Sequence, residues 1–168
     1  MAREYIRFDK EEFDRVDKKT REALIKVYKR LNPRHVFEEN TDQHGVDIII
    51  KDRDGKPLAY IEGEHTDTWI GKDFPYEEVR MFERKRHYVY GMDACSHYNC
   101  HAKAPLSCKN LPYGPLPVYM SVVNKDYTRV LTYKANEAEK ADSRYVPSRN
   151  GQEKMYFVPL KICVFNNI

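Results

Sequence analysis

The sequence predicts one α/β domain of the α+β type, in which a central mixed β-sheet is flanked by helices. The chain has 168 residues, enough for one core of ordinary size. Apolar residues near its start follow helical spacing, and several short apolar runs further on are separated by turn signals. We therefore expect residues 1–168 to form a single domain, with an insertion at 90–117.

The first predicted element is an amphipathic helix from Phe8 to Leu31. Its apolar residues recur mostly every three or four positions, with charged residues between them. Asp9 followed by Glu12 fits a capping box at the helix start, and Pro33 stops the helix.

Six short runs are predicted to be strands, and most are bounded by turn residues. HVFEEN is the first, and GVDIIIKD and PLAYIEGEH form a hairpin around Asp54-Gly55, a strong hairpin signal. PVYMSVVN and TRVLTY follow, separated by a turn at Lys125-Asp126, and ANEAEKA is a candidate short helix. DSRYVPSRNGQEK resembles a loop. MYFVPLKICVF ends the chain as a strand in which Pro159 favours an edge or a bulge.

A second helix is predicted over DFPYEEVRMFERKRHYVY. Asp73 stands at a cap position, Pro75 lies in the first turn, and acidic residues precede basic ones, which suits a helix dipole.

The insertion at 90–117 lacks periodicity and contains three of the four cysteines. Four cysteines are too few and too clustered for a disulfide scaffold, so reduced thiols or a metal site are expected. The candidate Zn²⁺ ligands are Cys95, Cys100, His101 and Cys108. Their spacing matches no standard zinc finger, so a partly packed loop with free thiols is the alternative.

Net charge and hydropathy indicate which partners and which cell compartment to expect. The net charge of +3 arises from 29 basic and 26 acidic residues, so the total is weak evidence for an anionic partner. The chain start lacks the pattern of a signal peptide, and no apolar run approaches a membrane span. We expect a soluble, cytoplasmic protein with no membrane partner.

Acidic residues in the predicted hairpin point to chemistry. A turn centred on Asp54-Gly55 places Asp47 opposite Glu62, with Glu64 on the same face as Glu62. Opposed carboxylates repel, by about 1 kcal/mol in water and more where water is excluded. A divalent cation reverses this cost, so Mg²⁺ or Mn²⁺ is the expected cofactor. The alternative is that the strand simply reaches solvent at this point.

The order of elements, with GVD followed by IEGE, resembles the PD-(D/E)XK nuclease superfamily. Asp47 matches the motif Asp, Glu62 matches the second acid, and Glu64 stands at the Lys position. The resemblance implies an αβββαβ restriction-endonuclease-like core. It also implies a metal-dependent endonuclease that hydrolyses DNA, with Asp47, Glu62 and Glu64 as Mg²⁺ ligands. The segment from Phe74 to Tyr88, together with MYFVPL, is similar to small phage and viral members, which act in the host cytoplasm.

Because Glu64 replaces the motif Lys, the resemblance implies that another basic residue takes its role. Lys85 on the second predicted helix is the candidate, and a solvated helix face is the alternative. An acid from an upstream element often joins the family's site, and Glu22, Glu38 and Glu39 are the options here.

Basic residues on the second predicted helix would contact DNA phosphates, with a basic loop at Arg144, Arg149 and Lys154. The DNA-binding candidates are Arg80, Arg84 and Arg86. Nucleases of this class often cut as homodimers, so a homodimer is a further expectation. Two other functions stay open: an inactive nuclease-fold protein that binds nucleic acid or a protein, and a zinc-stabilised interaction module.

Overall fold

The computed structural model describes residues 9–41, 45–86, 111–114, 116–138, 140–148 and 151–168. These residues form a single domain that mixes α and β structure and consists mostly of sheet. The helices are α1 (Lys10–Leu31) and α2 (Ala135–Ala138), with 3₁₀ turns at Glu83–Arg86 and Leu160–Ile162. The strands, in chain order, are β1 (Val36–Glu39), β2 (Ile48–Lys51), β3 (Pro57–Thr66), β4 (Glu78–Phe82), β5 (Val118–Asn124), β6 (Arg129–Lys134), β7 (Asp142–Ser148), β8 (Gly151–Pro159) and β9 (Val164–Asn167).

Helix α1 forms as predicted. The Asp9 carboxylate caps it by accepting hydrogen bonds from the backbone N–H groups of Glu11 and Glu12, at 3.0 and 3.2 Å. The helix ends at Leu31, just before Asn32 and Pro33. Its buried face packs onto the main sheet.

Replacing Asp9 with alanine should lower the free energy of unfolding by about 1 kcal/mol, because two N–H groups of the first turn lose their acceptor. Urea unfolding followed by circular dichroism measures the change. Asp14→Ala is the matched control: this exposed acid lies on the same helix but is not its cap, so its effect should stay within about 0.5 kcal/mol. Equal effects of the two substitutions would contradict the assignment of the cap.

The main sheet has six strands in the order β1-β2-β3-β5-β6-β9. Strands β3 and β5 run parallel, and every other neighbouring pair is antiparallel, so the predicted mixed sheet is confirmed. The hairpin register is also as predicted, with Ile48 opposite Ile61 and Ile50 opposite Ala59. Gly55 adopts a φ of +84° in the turn, a conformation that glycine takes without strain.

The predicted second helix is wrong for residues 73–86. Residues 78–82 instead form β4, and the 3₁₀ turn at Glu83–Arg86 follows directly. Val79 and Met81 are buried while Arg80 between them is exposed, and this alternation is the period of a strand rather than a helix. The α-helix expected in an αβββαβ core between β3 and its parallel neighbour is therefore not present in these residues.

A second, antiparallel sheet in the order β4-β8-β7 was not predicted. The segment expected to be a loop, DSRYVPSRNGQEK, supplies β7 and the start of β8. The single strand predicted over MYFVPLKICVF is split after Pro159 into β8, in the middle of this sheet, and β9, at an edge of the main sheet. Of the two positions that Pro159 favoured, an edge or a bulge, the edge is therefore wrong for β8. Pro159 is the last residue of β8, where a missing backbone N–H costs little.

The main sheet is covered on both faces. Helix α1 packs on one face, where Leu24 and Val27 meet Ile48 and Ile61. The three-stranded sheet packs on the other face through Val79, Met81, Tyr156 and Val158. Side chains of β3 therefore alternate between a helix-facing and a sheet-facing layer.

Most of the predicted insertion, with all four candidate zinc ligands, lies outside the described residues. Its last part, 111–114 and 116–117, is described, and Leu111 is buried in the core between the sheets. The Tyr60 hydroxyl donates a hydrogen bond to the Gly114 carbonyl at 2.9 Å. Within the part of the chain that the structure covers, no helix is both long and apolar enough to cross a membrane.

Candidate active site

Lys85 joins two of the predicted catalytic acids. Its ammonium nitrogen lies 3.0 Å from Glu62 Oε1 and 2.5 Å from Glu64 Oε1. The three side chains are largely buried, with 14% of Lys85, 12% of Glu62 and 24% of Glu64 exposed. Ion pairs with so little exposure are screened weakly by water, so each partner depends strongly on the others. We call this group the Lys85 cluster.

The strand geometry explains the arrangement. Glu62 and Glu64 are two residues apart on β3, so both point into the layer between the two sheets. Lys85 lies on the 3₁₀ turn that follows β4. Strand β4 belongs to the three-stranded sheet β4-β8-β7, which we call the covering sheet. The predicted proximity of Lys85 to the acids is thus present, although a strand and a 3₁₀ turn, not a helix, deliver the side chain.

The two carboxylates set the charge state of Lys85. Burial by itself lowers the pKa of the Lys85 ammonium, but attraction to Glu62 and Glu64 outweighs burial and raises that pKa above its usual value. Lys85 is therefore a fixed cation at neutral pH. One ammonium shared by two carboxylates leaves a formal charge of −1.

Asp47 lies at the edge of this group. The paired part of the hairpin stops at Ile48 and Ile61, so the expected direct pairing of Asp47 with Glu62 is not formed. The Asp47 N–H instead donates to the Ile61 carbonyl at 3.1 Å. Its carboxylate Oδ2 accepts a hydrogen bond from the Gly63 N–H at 2.6 Å.

The surroundings of Asp47 disfavour its charged form. Burial, followed by repulsion from Glu62, raises the pKa of the Asp47 carboxyl from 3.8 to about 8. The Gly63 N–H and the nearby Lys85 charge act in the opposite direction but do not compensate. Without a further cation, Asp47 is therefore mostly protonated at neutral pH.

Helix α1 approaches the site at Gly63. A Cβ on Gly63 would lie 2.7 Å from Leu24 Cδ1 and 3.3 Å from Asp47 Oδ2, so a larger residue would require the Leu24 and Asp47 side chains to shift. Asp17 on the same helix raises the pKa of Asp47, and it pairs with Arg21 at 2.9 Å. Asp17 was missed in the sequence. The sequence feature that could have indicated Asp17 is its position one helical turn before Arg21, where the two side chains can form an ion pair.

The three upstream acids considered for the site have other neighbours. Glu38 pairs with Lys51 at 2.6 Å, and Glu39 lies 3.6 Å from Arg21. Glu22 is exposed and lines an open groove with Ile25 and Lys26. Among the described residues, Asp17 is the acid on α1 whose charge acts on Asp47.

The predicted DNA-binding arginines lie on or beside the covering sheet. Arg80 is exposed on β4, with its guanidinium carbon 5.7 Å from the centre of the Phe157 ring. Arg144 stacks on the same ring at 3.6 Å. Arg84 and Arg86 belong to the 3₁₀ turn that carries Lys85. Arg149, predicted to be part of a basic loop, lies outside the described residues, and Lys154 pairs with Glu83 at 2.9 Å.

Tyr133, which the sequence analysis did not identify, lies in the same layer between the two sheets as Glu62 and Glu64. Glu62 on β3 is level with Met120 on β5, and Met120 is level with Tyr133 on β6, so the three side chains share one face of the sheet. Tyr133 is 2% exposed, and its hydroxyl is buried without a hydrogen-bond partner among the described residues. Burial, followed by the charge of Glu64, raises the pKa of this hydroxyl well above its usual value.

No protein-family model, curated protein or solved structure matches this chain. The functional interpretation therefore depends on the residues and geometry of the site.

The site offers the type of donor that Mg²⁺ and Mn²⁺ prefer, which is carboxylate oxygen. A cation at this site would offset the formal charge of −1 on the Lys85 cluster and would favour the charged form of Asp47. In the part of the chain that is described, however, no three His, Cys, Asp or Glu side chains are arranged to hold a metal ion. Lys85 stands between the two glutamates, so an ion bound by both would require the ammonium to move.

Proposed function

We propose that the protein is a metal-dependent endonuclease that hydrolyses phosphodiester bonds in DNA. The observation that carries this proposal is the contact of Lys85 with Glu62 and Glu64 beside Asp47. In the nuclease superfamily that the sequence resembles, two acids and a nearby lysine form the catalytic group. In this chain Glu64 occupies the motif position of the lysine, and the nearby lysine is instead Lys85, from a later part of the chain.

The sheet order also supports the proposal. Helix α1 precedes three antiparallel strands, β1, β2 and β3, and β5 then joins β3 in parallel. This strand order supports an αβββαβ-type core, and a three-stranded sheet would then cover the face on which such a core has its second helix. Asp47 directly precedes β2, and Glu62 and Glu64 lie on β3, so the acids come together beside the paired start of the hairpin.

Each residue of the site would have a separate role in the hydrolysis. Asp47 and Glu62 would hold a divalent cation, which when bound polarises a phosphate oxygen and activates water. Glu64 would hold the attacking water and accept a proton from it. The Lys85 ammonium would donate to a non-bridging phosphate oxygen and stabilise the negative charge that develops there.

The proposal predicts that Asp47→Asn and Glu62→Gln each reduce DNA cleavage by at least about a hundredfold, because each removes a charged ligand. The assay uses supercoiled plasmid and branched DNA with Mg²⁺ or Mn²⁺, and EDTA should abolish cleavage. Glu38→Gln is the matched control, since Glu38 is an exposed glutamate on β1 that pairs with Lys51. Cleavage that survives both site substitutions would rule out an active site at these acids.

A catalytically inactive protein of the same fold is the second candidate. It is favoured by the ammonium of Lys85, which already neutralises one of the two negative charges on Glu62 and Glu64. DNA retention that is insensitive to EDTA and to Asp47→Asn, without any cleavage, would support this function instead. The zinc-stabilised module remains a separate prediction, and zinc analysis of the wild type and Cys100→Ser tests it.

A further inference from the structure

The C-terminal end of helix α1 carries a group of basic side chains outside the candidate active site. The segment 23–37 contains four basic residues and no acidic one: Lys26, Lys29, Arg30 and Arg34. All four are exposed, and we call them the basic end of α1. The whole chain has a net charge of +3 and this segment carries +4, so the rest of the chain has a net charge of −1. The excess positive charge of the protein is therefore concentrated here.

These side chains are not neutralised by neighbouring acids. Lys26, Lys29 and Arg34 form no ion pair with a carboxylate among the described residues, and Arg30 donates to the backbone carbonyl of Asn167. On a helix, residues three and four apart are surface neighbours, and like charges at that spacing repel. A polyanion that contacts several of these side chains at once would relieve this repulsion.

Stabilisation of the helix accounts for only part of the group. Lys29 and Arg30 lie in the last turn of α1, where positive charge interacts favourably with the helix dipole. This effect is confined to the last turn, so it does not explain Lys26, one turn earlier, or Arg34, beyond the helix end.

The basic residues of the covering sheet have more acidic surroundings. Arg80 lines a cleft together with Glu77 and Glu78, and Arg144 lies 3.4 Å from Glu78. Carboxylates so close to the basic groups repel phosphates and weaken the attraction of a nucleic-acid backbone. Among the described residues, the basic end of α1 therefore suits a polyanion better than this sheet does.

The basic end also lies on the helix that reaches the candidate active site. Leu24 of α1 packs against Gly63, beside the Asp47 carboxylate. Arg30 follows Leu24 by six residues, which is about 9 Å of rise along the helix. About three base pairs of duplex DNA cover that distance. DNA held at the basic end would thus extend to the candidate site.

We propose that the basic end of α1 holds the phosphate backbone of DNA and does not read its sequence. Lysine and arginine contacts to phosphates fix the position of a nucleic acid but carry no sequence information by themselves. This inference rests on the DNA partner of the proposed function, and it requires no metal ion.

Fluorescence anisotropy of a short labelled DNA duplex tests the proposal, with the full chain in EDTA over a range of salt concentrations. One variant combines Lys26→Gln, Lys29→Gln and Arg34→Gln, and it keeps Arg30 because of the contact with Asn167. The slope of log K against log salt concentration should become shallower by about 1 for each phosphate contact removed, or about 3 in all. The loss should be the same for two unrelated DNA sequences. The substituted side chains are exposed, so urea unfolding should stay close to that of the wild type.

The matched control replaces three exposed lysines with glutamine at the other end of the same helix, where several acidic residues surround them: Lys10, Lys18 and Lys19. Its net charge changes by the same amount, but its salt dependence should remain close to that of the wild type. An equal loss of slope in the two variants would overturn the proposal, because binding would then follow net charge alone.

The remaining outcomes separate this inference from the proposed function. A wild-type slope in the basic-end variant, with a wild-type chain that binds the duplex, would overturn the role of the basic end alone. Binding to phosphatidylserine vesicles but not to DNA would also overturn it, in favour of a membrane surface. A wild-type chain that neither binds DNA in EDTA nor cleaves it with Mg²⁺ or Mn²⁺ would overturn both proposals.

Discussion

Replacing Lys85 with methionine should lower the free energy of unfolding by about 3 kcal/mol at neutral pH in the absence of divalent cations. Methionine keeps most of the apolar stem but removes the ammonium, which leaves Glu62 and Glu64 close together and largely buried. Removing one partner from a buried ion pair typically costs about 3–5 kcal/mol, and we expect the lower end because Glu64 retains some contact with water. Urea unfolding in EDTA measures the change.

Divalent cations should change this result. The Lys85→Met variant should recover much of the lost stability on addition of Mg²⁺ or Mn²⁺, and more than the wild type gains, because an ion then joins the two carboxylates. Binding to the folded state alone raises stability with the logarithm of the ion concentration. The triple variant Lys85→Met, Glu62→Gln, Glu64→Gln should be more stable than Lys85→Met in EDTA and insensitive to the cation.

The matched control for Lys85 is Lys154→Met. Lys154 also pairs with a glutamate, Glu83, but these two side chains are 30% and 36% exposed. The loss should stay below about 1 kcal/mol, as for most accessible ion pairs. A Lys85→Met variant that is as stable as the wild type in EDTA would contradict the dependence of the two glutamates on this ammonium.

Asp47→Asn should make the metal-free protein more stable at alkaline pH. The pKa of Asp47 is raised from 3.8 to about 8 in the folded state. Below about pH 4 the carboxyl is protonated in both folded and unfolded chains, so its effect on stability is absent. Between about pH 4 and 8 the unfolded chain releases the proton while the folded chain retains it, so stability falls as pH rises. Above about pH 8 both states are ionised and the loss is complete.

The fall can reach about 1.4 kcal/mol for each pH unit in this window, or on the order of 5 kcal/mol in total. An asparagine cannot ionise, so the variant should show a flatter profile, offset by the cost of burying its amide. Urea unfolding between pH 4 and 9 in EDTA measures this. Asp54→Asn, an exposed residue of the hairpin turn, is the control and should keep the wild-type profile.

Mn²⁺ should change the pH dependence of stability in the wild type but not in Asp47→Asn. A cation that binds Asp47 favours its charged form and should reduce the alkaline loss of stability in the wild type, with little effect in Asp47→Asn. Parallel profiles for wild type and Asp47→Asn in EDTA would contradict the burial and charge repulsion assigned to this carboxyl.

Local signals predicted the first half of the fold well. The cap at Asp9 and the turn at Gly55 act within a few residues of themselves, so the sequence alone carries enough information to place α1 and the hairpin. The hairpin register followed from the turn, and with it the shared face of Glu62 and Glu64. The predicted pairing of Asp47 with Glu62 is not formed, and the Asp47 carboxylate accepts from the Gly63 N–H instead, a contact that no local pattern encodes.

The covering sheet could not be predicted from local sequence signals. Its strands pair β4 with β8, and residue 78 lies opposite residue 159, so the partner that decides between helix and strand is distant in the chain. The segment of β4 combines acidic residues early with basic residues late, which favours a helix locally, while the alternation of Val79, Arg80 and Met81 favours a strand. Pairing with β8 and burial in the core between the sheets decided the outcome.

The parallel pairing of β3 with β5 has a consequence for when the Lys85 cluster can form during folding. Residues 67–117 separate the two strands, and Lys85 lies within that connection. Closing so long a segment is entropically slow compared with forming the local hairpin. We therefore expect the carboxylates of β3 to be in place before the Lys85 ammonium reaches them during folding. A chain that has not completed its crossover has the acids but lacks the lysine.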